Sequence, residues 1–309
     1  MTKIFIDGSQ GTTGLKIFDR LSKRPDIELI TLPENLRKDT DARKQALNSA
    51  DIAFLCLPDD AAIEAVSLIE NDHTVVIDTS TAHRTNDGWA YGFPELSKDF
   101  EEKLLSSKRI AVPGCYASGF IALVKPLIDN DFVEKDHGFV CHATSGYSGA
   151  GKKGIAQYED DNRDTLLDSP REYALTQQHK HLKEMKAVSG LDTTPIFCPY
   201  ICDYFSGMMV TVPLFKKDLK GKTIDDIKAL YKAIYNTEIV MYKDGIDEQG
   251  FLASNKMSDF DNMEITVCGN DERILLIARY DNLGKGASGA ALQCMNMKMG
   301  LAPSFQLNI

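Results

Sequence analysis

A thiol acts as a nucleophile only where its surroundings favour the thiolate. Of the seven cysteines in this chain, Cys115 has such a setting. It follows Gly114 at the end of an apolar run, and residues 117–127 read as a helix. A helix N-terminus offers N–H groups without intrahelical partners and the positive end of the helix dipole. Cys56, Cys141, Cys198, Cys202, Cys268 and Cys294 fall inside runs that read as strands or helices, where a cysteine behaves as a small apolar residue. A reacting thiolate also needs a proton partner. Of the six histidines, His179 and His181 flank Lys180, and Glu184 follows three residues after His181. If that stretch is helical, the spacing puts a carboxylate beside the imidazole, where it would orient the ring.

Two further segments suit anions. Asp78-Thr79-Ser80-Thr81-Ala82-His83-Arg84 is a polar loop after an apolar run. Arg84 carries a planar fork that matches a phosphate or carboxylate, and Ser80 is a neighbouring hydroxyl. Ser145-Gly146-Tyr147-Ser148-Gly149-Ala150-Gly151-Lys152 begins like a phosphate-binding loop. The next residue is Lys153, where a nucleotide triphosphatase needs Ser or Thr for magnesium, so that chemistry is rejected. Ser145, Gly146 and Ser148 are expected to touch substrate instead. Cys198 and Cys202 with His179 and His181 have a spacing too loose for zinc and sit in an apolar run, so no metal is expected.

Gly8-Ser9-Gln10-Gly11-Thr12-Thr13-Gly14 lies between a short β-branched strand and a stretch with helical spacing at Leu15, Phe18 and Leu21. Strand, glycine turn and helix together make a dinucleotide-binding loop, whose amides face a pyrophosphate. After the second strand come Glu34, Arg37 and Lys38. Glu34 would suit a ribose hydroxyl. Arg37 and Lys38 suit a 2′-phosphate better, which favours NADP over NAD.

The elements that must position these groups alternate. Strands are predicted at 3–6, 28–32, 52–57, 74–77 and 109–112, with helices after the first and, at 61–69, after the third, so the first part is an α/β domain with a parallel sheet of Rossmann type. Beyond about residue 118, longer alternating runs at 139–144, 207–213, 264–268 and 274–280 predict an α+β domain with a mixed or antiparallel sheet. The expected division is a dinucleotide-binding domain at 1–117 and a catalytic and oligomerisation domain at 118–284. A helix near 285–309 is expected to return to the first domain. The 309 residues suit roughly two domains. A net charge of −10 argues against nucleic acid and anionic membranes as partners. No apolar run reaches the ~20 residues of a membrane span. The polar break at Asp7 argues against a signal peptide, and the odd cysteine count argues for reduced thiols, so a cytoplasmic protein is expected.

Together these residues carry a resemblance. GSQGTTG at 8–14, FLCLPDDAA at 54–62, DTSTAHR at 78–84, YGFPEL at 91–96, VPGCYASG at 112–119, SGYSGAGKKG at 145–154, HKHLKEM at 179–185 and DNLGKGASGAALQCMN at 281–296 span nearly the whole chain. The chain resembles the shorter N-acetyl-γ-glutamyl-phosphate reductases, relatives of the aspartate-semialdehyde dehydrogenases. The resemblance implies NADPH-dependent reduction of N-acetylglutamyl 5-phosphate, a step of arginine biosynthesis, in a homodimer or homotetramer. It implies Cys115 as nucleophile and the histidine pair as acid and base, with Glu184 favouring His181. Pro58, Asn282 and Gly284 are implied near the nicotinamide, and Arg84 on phosphate. The family usually has proline where this chain has Lys183. Competing readings are a semialdehyde dehydrogenase acting on another acyl phosphate, a catalytically silent NADP-binding sensor, and a thiol hydrolase that needs no dinucleotide.

Overall fold

Short β-branched and aromatic runs form the strands of the first sheet in a computed structural model that describes residues 1–309. They are β1 (Thr2–Asp7), β2 (Ile27–Ile30), β3 (Ile52–Leu55), β4 (Val75–Asp78), β5 (Ala90–Tyr91) and β6 (Arg109–Ala111). The order is β2-β1-β3-β4-β6-β5, and every neighbouring pair is parallel. All four residues of β3 are buried, as expected of a strand covered on both faces. The connecting helices are α1 (Thr12–Leu21), α2 (Thr40–Ser49), α3 (Asp59–Ser67) and α4 (Lys98–Ser106). Asp39 caps α2 by accepting the N–H of Ala42 at 2.8 Å. Phe5, Leu47, Leu55, Ala62, Ala65 and Val76 fill a core between the sheet and helices α2 and α3. β1 pairs with β3 from Ile4 opposite Ile52 to Asp7 opposite Leu55, so the loops after these two strands leave the sheet side by side.

The second sheet has seven strands in the order β11-β12-β13-β10-β7-β9-β8. They are β7 (Val140–Gly146), β8 (Arg171–Glu172), β9 (Ile196–Cys202), β10 (Met208–Phe215), β11 (Val240–Tyr242), β12 (Met263–Gly269) and β13 (Arg273–Tyr280). The β7–β9 and β11–β12 pairs are parallel and the others antiparallel, giving a mixed sheet. β10 alternates: Met208, Val210, Val212 and Leu214 are buried, and the residues between them face the other side. Its helices are α5 (Cys115–Asp129), α6 (Gly151–Tyr158), α7 (His181–Ser189) and α8 (Ile224–Ile234). α5 is buried along almost its whole length. Pro126 has no N–H to give the carbonyl of Ala122, four residues earlier, and the buried hydroxyl of Tyr235 donates to that carbonyl at 2.6 Å instead. Thr223 and Asp226 close α8 with a reciprocal capping box.

The chain divides into two compact units. The first holds Met1–Pro94, Lys98–Pro113 and Ala290–Phe305; the second holds Glu95–Ser97, Gly114–Gly289 and Gln306–Ile309. The break therefore precedes Cys115, earlier than the expected residue 117, because α5 is one continuous core helix of the second unit. The tail also differs from the single helix expected near 285–309. Gly284–Ser288 is a π-turn, closed by Ser288 N–H on the carbonyl of Leu283 at 3.0 Å, and α9 (Gly289–Lys298) follows. Within the first unit, Arg24 donates to Asn296 at 2.9 Å and Lys298 to the carbonyl of Leu105 at 2.6 Å. The last residues belong to the second unit, where Asn308 N–H donates to Asp261 at 2.9 Å. No helix is long and apolar enough to cross a membrane.

Candidate active site

Cys115 is the first residue of α5, two residues earlier than the helix start expected from sequence. The N-cap is Gly114, which supplies no side-chain acceptor to the first-turn amides. A half-buried thiol thus sits at a helix N-terminus with neither a capping hydroxyl nor an acidic residue in the first turn. Cys141, by contrast, is fully buried mid-strand, and burial pushes its thiol up. The carboxylate of Glu184, 2% exposed, accepts the N–H of Gly114 at 2.8 Å. Glu184 and His181 share α7 at the predicted spacing of three. The expected role of Glu184 was to orient the His181 ring; the bond it makes to Gly114 ties α7 to the residue before the thiol.

His181 is buried and His179 half-buried. The N–H of His181 donates to Nδ1 of His179 at 3.2 Å, which assigns the proton of neutral His179 to Nε2. The two rings meet edge to face with centroids 4.7 Å apart. Tyr116 packs against both, at 6.1 Å each, and Phe197 and Tyr173 lie 5.1 and 5.8 Å from His179. Burial first, then the neighbouring Tyr173 and Cys115, hold the Tyr116 hydroxyl well above its ordinary range, so it stays protonated. Sequence reasoning missed Tyr116, Tyr173 and Phe197. The adjacency of Tyr116 to Cys115 was the one local signal; nothing local marks Phe197, which β9 brings in.

In the first unit the glycine loop has the geometry a dinucleotide needs. Gly8 has φ +86°, and a Cβ there would stand 2.3 Å from the carbonyl oxygen of Cys56, in the loop after β3. A Cβ on Gly14 would stand 2.4 Å from the carbonyl oxygen of Gly8, so α1 packs against the turn only with glycine there. Gly11 is the N-cap of α1 and offers no side-chain cap, leaving the amides of Thr12, Thr13 and Gly14 at the helix start. Beside the loop is a cavity of about 870 Å³ lined by Asp7, Gly8, Ser9, Gln10, Arg37, Lys38 and Pro58 among others. Arg43 also lines it. Its Nε and Nη1 are held by Asp7 at 3.0 Å and Glu64 at 2.7 Å, while its buried Nη2 has no hydrogen-bond partner. Arg43 was missed because a buried arginine reads as a surface residue in a helical pattern. An uncapped helix start, a turn too tight for a Cβ at Gly8 or Gly14, a rim with Arg37 and Lys38 and a bare interior donor fit a phosphorylated dinucleotide.

Other predicted residues also make bonds within their own units. Ser80 is buried; its hydroxyl donates to Asp78 at 2.7 Å and accepts from Ala82 N–H at 3.2 Å, so it builds its own loop. Nδ1 of His83 lies 2.7 Å from the same Asp78 carboxylate, and its ring stacks on Trp89 at 4.0 Å. Arg84 is fixed by two carbonyls, Nε to Val112 at 2.8 Å and Nη2 to Thr79 at 2.9 Å. In the second unit, Asn282 donates to the Ser148 hydroxyl at 2.9 Å and accepts Gly207 N–H at 2.9 Å. Ser145 donates to the Gly146 carbonyl at 3.1 Å, and a Cβ on Gly146 would stand 2.5 Å from the carbonyl oxygen of Phe205. Asn282, Ser145 and Ser148 thus make hydrogen bonds within the second unit, and Gly146 packs closely on Phe205. A Cβ on Gly284 would meet the carbonyl oxygen of Phe260 at 2.1 Å, so this glycine serves close packing. No group of three or more His, Cys, Asp or Glu side chains is placed to hold a metal ion, and none of the seven cysteines is in a disulfide.

Comparison with known proteins agrees in both units. Residues 3–103 match a family model described as semialdehyde dehydrogenase, NAD binding domain, and residues 115–282 match semialdehyde dehydrogenase, dimerisation domain. The chain is 42% identical over 312 aligned residues to N-acetyl-gamma-glutamyl-phosphate reductase 2 of Nostoc sp., covering 97% of each. It is 44% identical to N-acetyl-gamma-glutamyl-phosphate reductase of Brucella ovis, covering 96% of this chain and 99% of that one. Among solved structures, aspartate semialdehyde dehydrogenase II of Vibrio cholerae, complexed with ASA, shares the fold with a TM-score of 0.71 at 14% identity, covering 97% and 98% of the two chains. Aspartate semialdehyde dehydrogenase of Candida albicans with NADP gives 0.66 at 14% identity, covering 96% and 98%. The glycine cradle, the thiol at its helix start and relatives matched from end to end lead to one conclusion: the chain belongs to the semialdehyde dehydrogenase family, among the N-acetyl-gamma-glutamyl-phosphate reductases.

Proposed function

We propose that the protein reduces N-acetylglutamyl 5-phosphate to N-acetylglutamate 5-semialdehyde and phosphate, with NADPH as reductant, through a thioester on Cys115. The observation that carries this is the half-buried thiol at the uncapped start of α5 in a unit that also holds the His179–His181 pair. The Cys115 thiolate attacks the acyl carbon, the carbon–oxygen bond to phosphate breaks, and phosphate leaves with the electron pair. Amides of the first turn of α5 stabilise the oxyanion as it forms. His181 takes the thiol proton and manages proton transfer at the acyl oxygen; His179, its tautomer set by the His181 amide, orients it. Arg84, anchored by two carbonyls, binds phosphate with its charge. The glycine loop at 8–14 holds the pyrophosphate, with Arg37 and Lys38 on the 2′-phosphate and Pro58 in the cavity wall. When bound, the cofactor supplies the hydride that reduces the thioester to the aldehyde level. Collapse to the aldehyde then restores the Cys115 thiolate.

We also infer a homodimer or homotetramer of cytoplasmic location. The face of the second sheet turned away from α5 and α8 carries Ile196, Phe215 and Leu275, which are 55%, 55% and 40% exposed, an apolar surface suited to a second copy.

The test runs the reaction backwards. Purified protein receives N-acetylglutamate semialdehyde, phosphate and NADP, with NAD in parallel, and reduced nicotinamide is followed by absorbance. Phosphate-dependent reduction of NADP, abolished by Cys115→Ala without loss of NADPH affinity, is expected. Faster turnover of aspartate semialdehyde would move the activity to the related dehydrogenases. NADPH binding with no turnover of either aldehyde would leave a sensor.

A further inference from the structure

The first turn of α5 is braced by a side chain from β13. In a regular α-helix the N–H of Gly119 bonds the carbonyl of Cys115, four residues earlier. Here Tyr280, at the end of β13, reaches both groups: its hydroxyl donates to the Cys115 carbonyl at 2.6 Å and accepts the Gly119 N–H at 3.0 Å. The residue at 119 must be glycine for this, because a Cβ there would lie 2.7 Å from the Tyr280 hydroxyl and 2.9 Å from its ring. Tyr280 is fully buried. Burial, with the nearby Cys115, Cys141 and Glu184 adding to it, keeps the phenol well above its ordinary range, so the group remains a donor. The π-turn that follows β13 brings Gly286 against Cys115, where a Cβ would stand 3.1 Å from the Cys115 Cβ. One segment, residues 280–286, thus touches the nucleophile's backbone through a hydroxyl and its Cβ through a glycine.

We propose that Tyr280 is a positioning residue for Cys115, its hydroxyl hydrogen-bonded to the first turn of α5 so that the thiol and the first-turn amides are held in the reactive alignment. The hydroxyl touches no reacting atom; it acts through the carbonyl of Cys115. Without it, the Cys115 carbonyl loses a donor and the Gly119 N–H an acceptor, and the first turn is free to shift, moving the thiol relative to the amides that stabilise it. Misplacement of a reacting atom by a fraction of an ångström to an ångström costs about ten- to a hundredfold in rate.

The inference rests on Cys115 being the nucleophile, and the experiment separates the two. Tyr280→Phe is compared with the parent and with Cys115→Ala for kcat, KM, NADPH affinity, and the pH dependence of Cys115 alkylation by iodoacetamide, read by mass spectrometry. In Tyr280→Phe, kcat is expected to fall about ten- to a hundredfold, with KM and NADPH affinity within about twofold and the alkylation midpoint moved to higher pH. A folded Tyr280→Phe with unchanged kcat and midpoint overturns the proposal. A lower melting temperature with an unchanged midpoint also overturns it, because that is a purely structural role. If Cys115→Ala keeps its activity, the nucleophile assignment fails, whereas the alkylation profile still reports whether Tyr280 sets the thiol. Should Tyr280→Phe not fold, 3,5-difluorotyrosine at position 280 keeps the shape and acidifies the hydroxyl. A shifted alkylation midpoint is then expected, and no shift overturns the inference.

Discussion

The buried carboxylate of Glu184 accepts the backbone N–H of Gly114 at 2.8 Å, one residue ahead of the thiol of Cys115. The bond joins the start of α5 to α7, the helix that begins with His181, and so links the nucleophile's backbone to the imidazole's. Glu184→Ala leaves that amide buried without an acceptor, which costs about 1–3 kcal/mol. A lower denaturation midpoint and a large loss of kcat are expected. Glu184→Gln keeps an acceptor oxygen and should recover most of the stability. Equal midpoints for the alanine and glutamine variants would show that the bond does not matter.

The two histidines differ in setting. His181 is buried and His179 half-buried, with Nδ1 of His179 accepting from the His181 amide. His181→Asn is expected to lower kcat by about 10²–10⁴, and His179→Asn by less. Steady-state kinetics at the pH optimum check this, and the opposite order would assign the acid/base role to His179.

The glycines at 8 and 11 face different constraints. Gly8→Ala forces a Cβ to 2.3 Å from the Cys56 carbonyl oxygen at φ +86°, so both melting temperature and NADPH affinity should fall. Gly11→Ala meets nothing nearer than 3.5 Å in the protein, so the fold should hold. If the pyrophosphate lies against that amide, NADPH affinity should still drop. Calorimetry of both variants with NADPH separates the effects, and unchanged affinity in Gly11→Ala would move the pyrophosphate elsewhere.

Alkali should unfold the second unit. Burial is the first cause that holds Tyr116, Tyr231, Tyr235 and Tyr280 well above the ordinary tyrosine value of 10.0. A phenol whose folded value is raised contributes stability that is fully present below the unfolded value and is lost as pH rises past it. Stability should therefore be flat below about pH 10 and decline above it. In a 295 nm titration of the eleven tyrosines, this buried group should ionise only together with the loss of circular dichroism. Smooth ionisation of all eleven with the dichroism intact would contradict this.

Much of the site was readable from local pattern. A strand, a glycine turn and a helix are set by residues close in sequence, so the loop at 8–14, Cys115 at a helix start and the spacing of His181 and Glu184 could be placed from the chain alone. The alternation of strands and helices gave the parallel sheet, and the longer alternating runs gave the mixed one. Helices α2 and α4 were not seen. The inner face of α2 is Arg43, Ala46 and Leu47, and a buried arginine breaks the apolar period; α4 buries only Leu104. Tertiary structure decided the partners. The Gly114 acceptor comes from Glu184, seventy residues on. The hydroxyl in the first turn of α5 comes from Tyr280, 165 residues beyond Cys115. Ser80, Ser148 and Asn282 were read as ligand contacts from their places at strand ends; the hydrogen bonds they make to Asp78, to each other and to Gly207 were not legible there. A hydrogen bond is short-ranged and directional, so its partner depends on the packing of helix against sheet, which the spacing of residues along one segment does not encode.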